Sequence, residues 1–594
     1  MQNKLIPRIA TLFIKHNILL LVLLTLPIVL YTLPFLMTGS RLAVGDADYL
    51  MQTVEAARQT ILEYHQFPWW NPWVSGGVPL FANPQFGLLS LPTLCGLLFG
   101  SIVGYKIALV LYLILGFWGM YFLLTRCFKT PIVTATLLGY IWTFGGYFAY
   151  RAAGHYTFFT IEFFPLLLLL FLRRNDIRFG WAWFGLALGL MINAAAHNTT
   201  VMSLAVVGVF ILIELIKIGA KVGKRQSLRI SAETNLADIK TLLLSALVTL
   251  IVAGPRAIAS FEYIREYPRT LSFFPEDSIG IPDGVFSIFG PVRQYFDPPL
   301  IPNWSWMEVS AYIGFATGVA AIICLVVLIR SRLLFKPITS RISPALLLIL
   351  GIIFFLFGLG LIIGDLSPYN LLRHLPVFSD MRVASRWMIW ASLMVILFIG
   401  AYSLKRYRKA INVLLAVSVI ELFAFGTLFF AKQYTIEPAE YTHSSVINQQ
   451  VHYDSKRNGI PYDENLTATT RANIGQVIAG DSLIDTRNPA PFGIDTIRCD
   501  SDQGSCKFVM TKNAVVTEWS PNKITLKRTG KGDIRLNMNP GKYWLVNNRY
   551  AFANMRLVEP GQSFTISDKS ETIIIRMQPK FSPGWLLWKL SNPK

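Results

Sequence analysis

The chain has 594 residues, 53% of them hydrophobic and only 15% charged, where a soluble domain carries roughly a quarter charged residues. That balance excludes an ordinary cytosolic enzyme. The formal charge of +20 does not point to nucleic acid, because the Lys and Arg stand largely in short clusters between apolar runs, where positive-inside topology places them.

Apolar runs near 18–37, 104–124, 131–150, 158–172, 181–196, 201–216, 241–255, 311–329, 344–363, 387–403 and 410–430 approach the ~20 residues that a helix needs to cross a bilayer. They predict a polytopic α-helical membrane protein with about 11 transmembrane helices. The first run is longer than the apolar stretch of a cleavable signal and lacks a clear small-residue cleavage site, so it reads as a retained anchor. With the N-terminus in the cytoplasm, the inner segments hold 22 Lys and Arg against 10 in the far longer outer loops, which fixes the orientation. Residues 1–430 then form the transmembrane domain, with outer loops 38–103 and 256–310, and residues 431–594 form an extracytoplasmic domain.

Cys95, Cys127 and Cys324 lie in or beside spans and read as packing residues. Cys499 and Cys506, in CDSDQGSC, stand in the outer domain, where an oxidising compartment allows a disulfide closing a short loop. No Cys/His spacing suits zinc.

From Lys432 onward the sequence turns polar, with alternating runs such as Ile534-Arg535-Leu536-Asn537-Met538 and Thr572-Ile573-Ile574-Ile575 separated by Gly/Pro turns. This pattern predicts a β-sandwich-like domain. The terminal FSPGWLLWKL is too short to span, and its Trp585, Trp588 and Lys589 suit either an interfacial anchor or a buried sandwich edge.

Chemistry has three candidate homes on the outer side. Asp46 and Asp48, in GDADY, stand where the first span leaves the membrane, ahead of a helical pattern through Leu50, Met51, Val54, Ala57, Ile61 and Leu62 that predicts an amphipathic helix on the membrane surface. Asp at a helix start is a favoured cap; the same carboxylates can deprotonate an acceptor hydroxyl or hold a divalent cation, Mg²⁺ or Mn²⁺. The segment Pro68–Gln85 packs four prolines, two glycines and three tryptophans into eighteen residues, a shaped loop rather than a regular element. Its Trp70, Asn71, Asn83 and Gln85 are of the types that bind sugars, though Trp there also suits an aromatic belt. Finally Arg151, His155, Tyr156, His197, Asn198, Arg382 and Arg386 cluster at outer span ends, positioned to pair with a lipid phosphate. Arg265 and Arg269 can join them, or can neutralise Glu262 and Glu266 on one helix.

GDADYLMQ, WNPWVSGGVPLFANPQ, AGHYTFFTIEFFPLLLL, EVSAYIG and LPVFSDMRVASRW, in that order, resemble the YfhO-like bacterial membrane proteins of the GT-C glycosyltransferase superfamily. The spacing of Asn548-Arg549-Tyr550-Ala551-Phe552 is similar to that family's β-domain. Many relatives close with a further span, whereas this chain stops at Lys594 after an amphiphilic stub.

The resemblance implies a multi-pass enzyme of the bacterial inner (plasma) membrane. It would move a sugar from a polyprenyl-phosphate-linked donor to a cell-envelope glycan or lipid acceptor on the extracytoplasmic side. Asp46 matches the essential acid of the first outer loop, with Asp48 the second candidate. Two other classes fit the same spans: a transporter or flippase for a lipid-linked glycan, and a non-catalytic glycan-binding assembly protein of the envelope.

Overall fold

A computed structural model describes residues 5–43, 47–73, 77–152, 156–194, 197–223, 228–266, 278–290, 306–337, 342–375, 378, 381, 383–402, 407–438, 452–454, 482–484, 511–536, 538, 543–550 and 564–579. The chain is a polytopic helical membrane protein. Every expected apolar run falls on an apolar helix, but only seven helices among the described residues are long and apolar enough to cross a membrane. The other four, Thr157–Leu172, Gly180–Asn193, Phe315–Arg330 and Pro344–Gly358, are shorter. The expectation of about 11 spans therefore exceeds what helix length supports.

Helix α1 (Leu5–Leu36) leads into strand β1 (Leu42–Ala43) and α2 (Ala47–Leu62). The strands β2 (Trp70–Asn71) and β3 (Val78–Pro79) form a small antiparallel hairpin. Then follow α3 (Leu91–Phe99), α4 (Ser101–Leu123), α5 (Ile132–Thr143), α6 (Gly146–Arg151), a 3₁₀ segment at Tyr156–Phe163, α7 (Phe164–Leu172), α8 (Gly180–Asn193), α9 (His197–Gly223) and α10 (Leu228–Glu266). The second half holds α11 (Ile281–Phe289), α12 (Trp306–Val309), α13 (Phe315–Arg330), α14 (Pro344–Gly358), α15 (Pro368–Arg373), α16 (Met388–Ala401) and α17 (Arg408–Gln433). Local chemistry sets some of the starts. Ser90 and Ser343 cap α3 and α14 by accepting from Thr93 N and Leu346 N, each with proline in the first turn.

One continuous core runs through the bundle, from Tyr31 and Phe35 through Phe117, Leu138 and Phe164 to Trp390 and Phe430. In lipid, helices gain little from hydrophobicity alone and rely on close packing and hydroxyl bonds. The pair α8 and α10 shows both devices. A Cβ on Gly185 would sit 2.4 Å from Ser245 O and one on Gly189 2.8 Å from Val252. Only hydrogen fits there, so the backbones meet. Ser245 and Thr249 then donate to Trp181 O and Gly185 O at 2.9 and 3.1 Å. The opposite side of α10 exposes Leu250, Ile251 and Phe261, the apolar side chains that lipid would cover.

Strand β4 (Tyr434–Ile436) continues α17 and pairs with β1. Two further strands, β5 (His452–Asp454) and β6 (Ser482–Ile484), pair in parallel. In the rest of the C-terminal domain, β7 (Ala514–Ser520), β8 (Lys523–Arg528), β10 (Trp544–Val546), β11 (Arg549–Tyr550) and β13 (Thr572–Met577) make a five-stranded sheet in the order β11-β10-β13-β8-β7. The strands β9 (Ile534–Leu536) and β12 (Phe564–Ile566) form a second, two-stranded sheet. Ile534, Leu536, Phe564 and Ile566 share one core with Leu526, Trp544, Ile573 and Ile575, so the two sheets bury their apolar sides together. Cys499, Cys506 and the terminal FSPGWLLWKL lie outside the described residues.

Candidate functional site

Asp48 stands in the first turn of α2 and is buried. Asp46 lies outside the described residues. The helix does not lie open on a membrane surface as its apolar pattern predicts. Its polar residues Gln52, Thr53, Glu55 and Gln59 are buried as well, because α3, α4 and the β2-β3 hairpin pack around it. Thr53 and Thr60 satisfy themselves on Leu50 O and Ala56 O, and Glu55 accepts from Arg58 at 2.9 Å. One turn beyond Asp48, Gln52 Oε1 is buried without a hydrogen-bond partner among the described residues.

The loop is shaped as its composition predicts, but Trp70, Asn71, Trp73 and Asn83 face inward. Trp70 is 2% exposed and packs in the core of the outer domain, edge to face with Trp544 at 5.4 Å. Its indole also lies over Gly77, where a Cβ would come within 2.3 Å, and Gly77 has φ +96°; only glycine meets both demands. Asn71 and Asn83 are buried, each folding its own turn by accepting from Trp73 N at 3.0 Å and Gln85 N at 2.9 Å. Gln85 is half-buried beside them. Arg256 of α10, itself buried, donates to the carbonyls of Phe81, Asn83 and Phe86 and so ties the loop to the bundle. As placed, Trp70 has no face open to a sugar, and Asn71 and Asn83 act as loop-shaping residues.

The outer domain grips the same loop. Gln66 donates to Ser520 Oγ at 2.8 Å and accepts from Asn522 N at 3.1 Å, while Asn522 Nδ2 donates to Phe67 O at 2.7 Å. Trp519 closes on Tyr64 and Trp73; burial and the neighbouring Glu63 push the Tyr64 phenol above its usual range. Glu262, expected to pair with Arg265 on α10, accepts from Tyr543 of the outer domain, and Arg265 is exposed.

The cationic set resolves into a buried cluster. Arg386 donates from Nε to Glu308 Oε2 at 2.9 Å and from Nη2 to Glu308 Oε1 at 2.7 Å. Arg151, wholly buried, lies 3.6 Å from the same carboxylate and donates to Glu308 O at 3.1 Å. Its guanidinium covers the Tyr147 ring at 3.6 Å, and Phe158 flanks both arginines. Arg386 is thus no free cation but half of an ion pair. Sequence reasoning missed Glu308 as its partner, although EVSAYIG puts this carboxylate at the end of a span. Of the other expected cations, His155, Arg269 and Arg382 lie outside the described residues. His197 begins α9, and its side chain is likewise outside them.

Two hydroxyls join the Asp48 end of α2 to this cluster. Tyr105 of α4 and Tyr434 of β4 both donate to Ala152 O, at 3.0 and 2.6 Å, on the residue next to Arg151. Burial pushes the Tyr434 phenol well up, so it stays a donor. Ala47, Leu50 and Met51 of α2 share the core with both tyrosines. The start of α9 closes on the same region through Thr199, which donates to Thr157 O at 3.1 Å. Among the described residues no three His, Cys, Asp or Glu converge as a metal site.

No family model and no curated protein matches the chain. Among solved structures it is similar to the arabinofuranosyltransferase AftD from Mycobacteria, at 13% identity and a TM-score of 0.40, over 68% of this chain and 26% of that one. It is also similar to the Archaeoglobus fulgidus oligosaccharyltransferase crystallised with Zn and sulfate, at 13% identity and a TM-score of 0.33, over 68% of this chain and 53% of that one. The chain spans about a quarter and about half of the lengths of these two structures.

Proposed function

We propose that the protein is a GT-C-like glycosyltransferase of the bacterial inner membrane, with its N-terminus in the cytoplasm and its β-domain outside. It takes a sugar from a polyprenyl-phosphate-linked donor and passes it to a cell-envelope glycan or lipid acceptor. The observation that carries this reading is the placement of two guanidiniums against one carboxylate, Arg151 and Arg386 against Glu308, at the end of the bundle where α2 presents Asp48. The ordered motifs from GDADYLMQ to MRVASRW support it independently.

The reaction needs an acid–base group, a cationic counterpart to the leaving phosphate and a site set into protein rather than open water. Asp46, with Asp48 as the second candidate, accepts the proton of the acceptor hydroxyl. That oxygen attacks the anomeric carbon in line; the bond from that carbon to the lipid phosphate oxygen breaks, and the electron pair leaves with the phosphate. A single displacement inverts the anomeric centre. Arg386 with Arg382, and His155 or His197, neutralise the phosphate. Asp46 and Asp48 also offer the hard oxygens that Mg²⁺ or Mn²⁺ takes, and such an ion would offset the same phosphate charge.

Transfer of radiolabel from polyprenyl-phosphate-sugar pools by the purified full chain in nanodiscs tests the proposal. Wild type should move label to an acceptor, and Asp46→Asn should not. If Asp46→Asn and Asp48→Asn both transfer at the wild-type rate, neither is the base. If wild type moves no label yet carries the lipid across the bilayer, the protein is a flippase.

A further inference from the structure

Among the described residues, the carboxylate of Glu308 is shared by two cations. Behind them, Arg151 Nε and the Tyr147 hydroxyl are buried, at 0% and 1% exposure, and have no hydrogen-bond partner among the described residues. Buried donors of this kind are costly when left unpaired. Arg386, in contrast, keeps 15% of its side chain open, so an arriving group can reach it while Arg151 stays covered. The Arg386–Glu308 contact is itself two-point, the geometry a guanidinium also offers to a phosphate.

We propose that Glu308 is a resident, exchangeable anion: a phosphate ester anion borne by a lipid takes the Arg386 fork from Glu308, while Arg151 keeps the displaced carboxylate. This rests on the phosphate-binding part of the function proposed above and adds a specificity residue to it. Glu308 holds Arg386 extended and neutralised in the absence of substrate, and sets a threshold that only a doubly accepting anion passes. A neutral lipid alcohol offers no such exchange. The backbone supports the arrangement, since Ser385 Oγ and Arg151 Nη2 both donate to Glu308 O, at 3.0 and 3.1 Å, and so the main chain stays fixed while the carboxylate moves.

The test uses the full chain in neutral detergent, with farnesyl phosphate, farnesol and inorganic phosphate as probes, read by calorimetric binding and thermal unfolding. In Glu308→Gln the amide no longer competes for Arg386. Farnesyl phosphate should then bind ~10- to 100-fold more tightly than to wild type, the range a charge-assisted hydrogen bond covers, and should restore the melting temperature that the substitution lowers. Farnesol should do neither. An unchanged affinity for farnesyl phosphate, or an equal gain for farnesol, overturns the exchange. Inorganic phosphate binding as well as farnesyl phosphate overturns the lipid-borne assignment. If Glu308→Gln does not fold, Glu308→Asp, which keeps the charge but shortens the reach to Arg386, gives the decision: tighter farnesyl phosphate binding than wild type is expected, and unchanged binding overturns the proposal. Because farnesyl phosphate carries no sugar, transfer without exchange refutes this inference alone, and exchange without transfer refutes only the transferase reading.

Discussion

Arg386 and Glu308, 78 residues apart in sequence, meet in a two-point ion pair at 2.7 and 2.9 Å that joins α12 to the 3₁₀ turn Ala384–Trp387 before α16. A second guanidinium, Arg151, backs the carboxylate from α6. Three separated segments of the bundle therefore end on one side chain.

Removing that side chain should be expensive. Glu308→Ala leaves two desolvated guanidiniums uncompensated, which costs ~3–5 kcal/mol when a buried pair is broken from one side. A fall in melting temperature in detergent that exceeds that of an exposed control such as Glu437→Ala checks this. Equal effects would show that the cluster is open to water.

Trp70 links the loop to the outer domain rather than to a ligand. Trp70→Ala empties the contact with Trp544 and should cost ~3–5 kcal/mol in the outer domain, loosening its seat on the bundle. Limited proteolysis should release the C-terminal β-rich domain from the variant and spare it in wild type. Equal protease resistance would remove Trp70 from the interface.

Arg256 reaches three carbonyls of one loop. Arg256→Lys keeps the charge but has a single ammonium in place of the guanidinium fork. The loop should therefore loosen, at ~1–3 kcal/mol for buried carbonyls left unpaired. Faster amide exchange at Phe81–Phe86, with α10 unchanged, is the expected reading.

The outer domain has an acid-sensitive point. Asp568 accepts from Ser570 N at 2.8 Å and Asn547 Nδ2 at 3.0 Å; the Ser570 bonds, with Asn547 and nearby Arg528 adding, hold its carboxyl below the usual range. A depressed folded value means the stabilisation is present above the unfolded value of ~3.9 and is lost as pH falls through the lower folded one. Asp568→Asn should flatten the loss of stability below about pH 4 and leave neutral pH little changed. An identical acid limb in both proteins would contradict the assignment.

Much of the architecture is local enough to read directly. Apolar run length decides where helices cross a bilayer, since every backbone group must be satisfied within the segment, and all eleven expected runs fall on apolar helices. Alternation and Gly/Pro turns likewise identify β9 and β13. The same logic fails for α2, whose polar face is buried by neighbours that its own period does not encode, and for the span count, where composition marks an apolar helix without setting its length.

By itself the sequence determined a polytopic helical protein, a polar β-rich tail, and span ends bearing arginine, histidine and two early carboxylates. Only the tertiary structure decided which of these are engaged: Arg386 by Glu308, Trp70 by Trp544, Glu262 by Tyr543, and Arg256 by the loop carbonyls. Hydrophobic length and charge type belong to single segments, whereas a partner is chosen by which segments the fold brings within ~3 Å.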